Sequence, residues 1–233
     1  MKDPDPLNSS KTSLDAFDPV DNHTLAAIES ITAALFKNAK GSHDWEHTRR
    51  VVSLSKTIGQ AEKAEMDVVI AGALLHDIGR CNPEDTKGKD CHARKGETMA
   101  GDILKQFPMT DEKKAAICHC VAAHRFRRPP DPETLEAKVV FDADKLDAIG
   151  AVGVARAYLF AGELGAKLHN PDVDVTTVAA YSREDTGYRE YVVKLQYIKE
   201  RMQTACGRRM AEDRHTFMET FFQRFLSEYA GGV

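Results

Sequence analysis

The sequence predicts an all-α fold, and three observations carry that prediction. Apolar residues recur with the 3.6-residue period of a helix along most of the 233-residue chain. Pro83, Pro108, Pro129, Pro130 and Pro132 fall between the periodic stretches, where a missing N–H and a fixed φ end a helix. No succession of alternating strands stands out, and only Val173, Val175 and Val178 would suit a short hairpin edge. Apolar residues make up 42% of the chain and charged residues 29%, which suits a packed core under a polar surface.

In chain order, Leu25, Ile28, Ile31, Leu35 and Phe36 share one helical face. Val51, Val52, Leu54 and Ile58 form the next stripe, on a helix starting near residues 42–44, with Ser42 or Asp44 as cap. Residues 68–75 are apolar without a charge, as expected of a helix buried all round. Gly79 is placed as its C-terminal stop. Residues 82–90 read as a loop, 92–107 and 111–124 as two helices, and 125–132 as a break. A largely helical stretch over 134–160 should bend or break near Gly150 and Gly153. Residues 162–187 are the longest ambiguous stretch, the kind of segment that serves as a lid. Helices over 188–202 and 204–229 close the chain.

The length suits one domain with a tail: residues 1–22 as a flexible N-terminal segment, 23–233 as a single domain. The first 21 residues are polar, hold three of the nine prolines and lack the apolar core of a signal peptide. No apolar run is long enough to span a bilayer. The expectation is a cytoplasmic protein without a membrane partner. Cys81, Cys91, Cys118, Cys120 and Cys206 are odd in number and scattered, which fits reduced thiols. Cys118 and Cys120 flank His119, but neighbours two apart on a helix point in different directions. The net charge of −4 gives no general pull toward a nucleic acid polymer.

Three clusters carry chemistry. His76 and Asp77 end the apolar helix, where burial and the negative end of the helix dipole both disfavour the carboxylate. A metal ion would compensate, with the neutral imidazole as a second ligand. An ordinary helix end with a His–Asp hydrogen bond is the plainer reading of that dipeptide alone. Asp142, Asp144 and Asp147 lie among Val139, Val140, Phe141, Leu146, Ile149 and Val152, where like charges need a cation. Ion pairing to Lys145 or to arginines would account for Asp142 or Asp147. Asp144 and Asp147, one turn apart, share a face. Third, His43 and His47 stand one turn apart near Trp45.

Together these clusters resemble the HD-domain metal-dependent phosphohydrolase superfamily, whose H…HD…D order falls on His47, His76 with Asp77, and Asp144. The strings HDWEHTRRV, ALLHDIGR and DADKLDAIGAVGVAR also match it, and the closing TACGRRMAEDRHTFMETF resembles the tail of its stand-alone YedJ/YpgQ-like branch. The resemblance runs from His23 onward and implies an all-α HD-domain helical bundle. It implies a divalent ion held by His47, His76, Asp77 and Asp144, with Mn²⁺ the preferred guess and Fe, Ni, Co or Mg as alternatives. Water would attack phosphorus, with Asp77 orienting or deprotonating it. Arg80, Arg94, Lys95, Arg125, Arg127, Arg128 and Lys145 are cations for a polyphosphate, Arg127 matching a His-x-aromatic-Arg string of the branch. Each is as well explained by an exposed surface role, and Lys145 by neutralising Asp142 or Asp147. Arg50 reads as a salt-bridge partner behind His47. His92 and His124 occupy the interval where binuclear members carry two further histidines. A substrate-side or general-acid role is preferred for them, with a second metal as the lesser alternative.

The resemblance therefore implies hydrolysis of a nucleoside or deoxynucleoside triphosphate to a monophosphate and pyrophosphate. Alternatives are a nucleoside monophosphate or cyclic-nucleotide phosphohydrolase, a di-iron HD oxygenase, and a non-catalytic ligand sensor. The partner is a small-molecule nucleotide, and the chain a monomer or homodimer.

Overall fold

The computed structural model describes residues 20–38, 44–81, 92–125 and 129–232. Among them are nine α-helices and no strand. They are α1 (Asn22–Leu35), α2 (Trp45–Glu62), α3 (Met66–Leu75), α4 (His92–Leu104), α5 (Asp111–Ala123), α6 (Leu135–Asp147), α7 (Gly150–Glu163), α8 (Gly187–Val193) and α9 (Ala205–Tyr229). Short 3-10 turns follow α1, α3 and α8 at Phe36–Asn38, Ile78–Arg80 and Leu195–Arg201. The proposed loop over 82–90, most of the N-terminal segment, His43 and Arg127 lie outside the described residues.

Local chemistry explains most of the boundaries. Side chains of Asp21, Asp44, Thr110, Thr134, Thr186 and Thr204 each accept the N–H three residues on and cap α1, α2, α5, α6, α8 and α9. The helical stretch over 134–160 breaks where Gly150 adopts φ +76°, so that α7 starts in a new direction. Gly79 differs from its expected role. It is not left-handed; an added Cβ would lie 2.0 Å from the His92 carbonyl. Its smallness lets the turn after α3 press against the start of α4. No strand forms at Val173, Val175 or Val178; residues 164–186 are turns and irregular chain. The helix expected over 188–202 is split at Lys194 (φ −145°, ψ −55°), and continues as a 3-10 turn.

α3 is the centre. Val68, Val69, Ala71, Ala73, Leu74 and Leu75 are all buried, and the helix packs against α1, α2, α5 and α6. A helix apolar all round leaves its polar chemistry to its end, so His76 and Asp77 emerge from the core at one place. Lys113 fastens α5 to the start of α3 through Glu65 and Asp67, both at 2.7 Å, and Asp67 also accepts the Val20 N–H. Lys113 is only 2% exposed, while its partners Glu65 and Asp67 reach toward the surface, so a buried lysine links elements distant in sequence. α9 crosses behind α6, and Asp142 binds its start: the carboxylate accepts the N–H groups of Gln203 and Thr204 and the Thr204 hydroxyl at 2.7–2.8 Å. Asp142 therefore caps a helix entry instead of pairing with Lys145.

Candidate metal centre

Five helix ends deliver the site. His47 comes from the first turn of α2, His76 and Asp77 from the residues that follow α3, His124 from the C-terminal cap of α5, and Asp144 from the last turns of α6. His92 is the first residue of α4. The ring nitrogens and carboxylate oxygens meet in two adjoining groups, His47–His76–Asp144 and Asp77–His92–His124, each within 4.8 Å. The two groups touch: Asp77 Oδ2 is 3.8 Å from His47 Nε2 and 3.9 Å from His76 Nε2, while Asp77 Oδ1 is 3.4 Å from His124 Nε2 and 3.8 Å from His92 Nε2. All four expected ligands and both additional histidines are thus brought together.

Hydrogen bonds at the back of three of the rings fix which nitrogen faces the centre. His47 Nδ1 donates to Asp147 Oδ2 at 2.8 Å, and a carboxylate can only accept. His76 Nδ1 donates to the Ala73 carbonyl at 2.8 Å, and His124 Nδ1 to the Val121 carbonyl at 2.6 Å. His92 Nε2 accepts from the Arg80 guanidinium at 2.8 Å. In the neutral rings of His47, His76 and His124 the inward Nε2 therefore carries a lone pair, whereas that of His92 is engaged by Arg80. His47 Nε2 and His76 Nε2 stand 3.3 Å apart, with Asp144 Oδ1 at 3.4 and 4.0 Å. Lone pairs and carboxylate oxygens crowded together away from water repel one another unless a cation sits between them. The donor set, two imidazoles and two carboxylates with second-layer hydrogen bonds fixing the rings, fits a divalent ion.

Protonation follows the same surroundings. Burial pushes His76 down to about 4, against the pull of Asp77 and Asp144. Burial, then the Arg80 charge, takes His92 down to about 3. For His47 burial acts in the same direction, yet Asp144 and Asp147 outweigh it and raise the ring. Burial opposes ionisation of Asp144, but the Lys145 ammonium, then His47 and His76, hold its carboxyl well below the usual range. Asp147 falls to about 2 because bonds from His47 and Arg50, with Arg156 nearby, overcome its burial.

The cations distribute unevenly. Arg80 binds Asp77 Oδ1 at 2.8 Å. Lys145 binds Asp144 Oδ2 at 2.5 Å and the His124 carbonyl at 2.9 Å, so its carboxylate partner is Asp144 rather than Asp142 or Asp147. Arg50 pairs with Asp147 through Nε at 2.8 Å and Nη2 at 3.1 Å, the place expected of it behind His47. Beside the centre opens a cleft of about 580 Å³ that includes Asp77, Arg80, His92, His124, Arg125, Asp144 and Lys145. Lys95 does not line it and lies instead near Cys81, whose thiol feels its charge. Arg94 is exposed and also absent from the lining, and Arg127 and Arg128 lie outside the described residues.

Sequence reasoning gave no role to Arg156 and left Asp147 as an ion pair of unknown purpose. Arg156 Nη1 donates to Asp147 Oδ2 at 2.7 Å and to the Asp147 carbonyl at 3.1 Å, so both residues serve to hold the His47 ring. Asp147 carried a signal, one turn past Asp144. Arg156 follows the Gly150 break, which severs any periodic relation to α6.

A helical bundle that gathers imidazoles and carboxylates at the mouth of a cation-lined cleft defines a class: a metal-dependent hydrolase. Comparison with known proteins supplies the family. The family model for the HD domain matches residues 44–149. The uncharacterized protein YpgQ of Bacillus subtilis is 33% identical over 88% of this chain and 93% of its own. The crystal structure of B. subtilis YpgQ in complex with ADP superposes with a TM-score of 0.67 at 31% identity, covering 86% of this chain and 95% of that one. A predicted HD superfamily hydrolase from an uncultured Thermotogales bacterium gives 0.63 at 30% identity, covering 88% and 92%. The chain belongs to the HD-domain family. No helix among the described residues is long and apolar enough to cross a membrane.

Proposed function

We propose that this protein hydrolyses a nucleoside or deoxynucleoside triphosphate to the monophosphate and pyrophosphate, with a divalent ion held by His47, His76, Asp77 and Asp144. One observation carries the reading: the metal centre opens into a cleft bearing Arg80, Arg125 and Lys145, so a polyanion entering it meets positive charge beside the reacting atoms. The ADP complex of YpgQ supports a nucleotide as the occupant.

A divalent ion at the centre would acidify water and polarise a phosphoryl oxygen. The chain's own residues do the rest. His47 and His76 are locked by their outer hydrogen bonds, so their inward lone pairs need no reorganisation. Asp77 hangs between the two groups and is placed to orient the attacking water and receive its proton. His124, 3.4 Å away, is placed to take that proton toward the cleft. As water oxygen bonds to the α-phosphorus, the α–β bridging P–O bond breaks and its electron pair leaves with pyrophosphate. Arg80, Arg125 and Lys145 offset the charge on that leaving group.

A second reading of metal count has its own support. Asp77, His92 and His124 converge within 4.8 Å as the first group does, and the Nε2 of neutral His124 bears a lone pair, while that of His92 would first have to give up its bond from Arg80. A carboxylate and acceptor ring nitrogens suit a second divalent ion better than phosphate hydrogen bonds, which would need donors, and Asp77, His92 and His124 would hold it.

The test is a nucleotide panel assayed with Mn²⁺ under anaerobic conditions, with phosphate and pyrophosphate measured separately. Pyrophosphate and monophosphate in equal amounts from a triphosphate are expected. Phosphate release from monophosphates alone would move the activity to the alternative phosphohydrolase class, and turnover that requires oxygen would make the protein an oxygenase.

A further inference from the structure

One face of α7 lines the cleft. Gly153, Arg156, Ala157 and Phe160 are spaced as i, i+3, i+4 and i+7, the face a helix turns toward one neighbour. Arg156 marks the metal end, since it binds the carboxylate that holds His47. Phe160 is one turn further, roughly 6 Å along the helix axis at 1.5 Å per residue. There the irregular segment 164–186 brings Tyr181 against it, ring centroids 6.0 Å apart and planes at 78°. The cleft therefore carries cations beside the metal centre and, further along α7, the rings of Phe160 and Tyr181 among charged side chains of α8 and the segment before it.

Tyr181 is held there at a cost. Its φ of +62° is left-handed, a region that side chains rarely adopt, and its ring is 76% exposed. Burial of the ring gives nothing in return. What fixes it is a buried pair: the Tyr181 N–H donates to Asp185 Oδ2 at 2.6 Å, and Arg189 Nη1 binds Asp185 Oδ1 at 2.8 Å. Arg189 also reaches the Val178 carbonyl through Nη2 at 2.8 Å, tying the segment to α8 on both sides of Tyr181. A backbone outlier kept in place by surrounding bonds, with its side chain displayed in a cleft, points to a ligand contact.

We propose that Tyr181, with Phe160 at its edge, is the platform on which the nucleobase of the substrate stacks. This deepens the nucleotide reading above and rests on it. A nucleotide carries a polyanion at one end and a flat ring at the other, and the cleft presents the matching order. Aromatic stacking tolerates any base, so the platform selects nucleotides over inorganic polyphosphates without choosing among bases. Tyr181 is a binding residue and takes no part in the chemical step.

Binding of ADP and of pyrophosphate to the full chain with saturating Mn²⁺, measured by calorimetry, separates the base from the phosphates. Tyr181→Ala should weaken ADP about tenfold to a hundredfold, the range of one lost stacking contact, and leave pyrophosphate within twofold. Tyr181→Phe should bind ADP like the wild type. An alanine variant with unchanged ADP affinity, or with equal losses for both ligands, overturns the platform. So does a phenylalanine variant as weak as alanine, or a wild type holding ADP no tighter than pyrophosphate. Because binding is read without turnover, a protein that hydrolyses no nucleotide yet shows this pattern would lose the proposed reaction and keep the platform.

Discussion

At the residue scale, His47 shows how the centre is built from the outside in. Its ring is fully buried, and its orientation depends on Asp147, which in turn is clasped by Arg50 and Arg156. Asp147→Asn keeps the shape but removes the charge that holds Nδ1–H. Metal affinity should fall about tenfold to a hundredfold while the protein stays folded, as read by metal titration and circular dichroism. His76→Ala or Asp77→Ala, by contrast, should remove bound metal and activity together. The convergence of His47, His76, Asp77 and Asp144 was legible because ordered residue types with distinctive flanks survive any ignorance of three-dimensional shape. Asp147 was harder, since a carboxylate one turn from a ligand reads equally as an ion pair. Asp142 was misread for a similar reason: its partners, Gln203 and Thr204, lie some sixty residues away and present backbone groups that no composition reveals.

At the element scale, α3 holds the ends of its neighbours in register. Leu75 is fully buried in the turn before His76, and Leu75→Ala should cost about 2–5 kcal/mol in denaturant unfolding, by lost transfer energy and a cavity. At the opposite end, Lys113→Ala removes the ammonium shared by Glu65 and Asp67; Asp67 is partly exposed and keeps the N–H groups of Val20 and Val68, so a loss of about 1 kcal/mol is expected. Burial works against the Asp67 charge, yet Lys113 and the N–H groups of Val20 and Val68 prevail and hold its pKa below the ordinary value of 3.8. A depressed folded pKa means that this contribution is present above about pH 4 and disappears as pH falls through the folded value. Acid unfolding of the wild type should thus be steeper below pH 4 than that of Lys113→Ala. Helix spans were readable wherever caps and prolines marked them. The break at Lys194 has neither, and only packing against α9 places it.

At the scale of the whole molecule, helices far apart in sequence converge on one charged point, where a bound cation would add to the neutralisation that Arg80 and Lys145 begin. Chelation should lower the melting temperature by roughly 5–10 °C, with recovery when Mn²⁺ is restored, because binding to the folded chain alone shifts its stability. The all-helical architecture followed from periodicity. The cleft did not, because it is assembled from α7, α8 and the irregular 164–186 segment, whose contributions depend on a turn at Gly150 and a buried Asp185–Arg189 pair. The central claim is that His47, His76, Asp77 and Asp144 share a cation. Calorimetric titration of Mn²⁺ into chelator-stripped wild type and His76→Ala protein tests it most directly. The account predicts at least one ion per chain in the wild type and loss of that binding in the variant. Equal binding by both proteins, or none by the wild type, would contradict it.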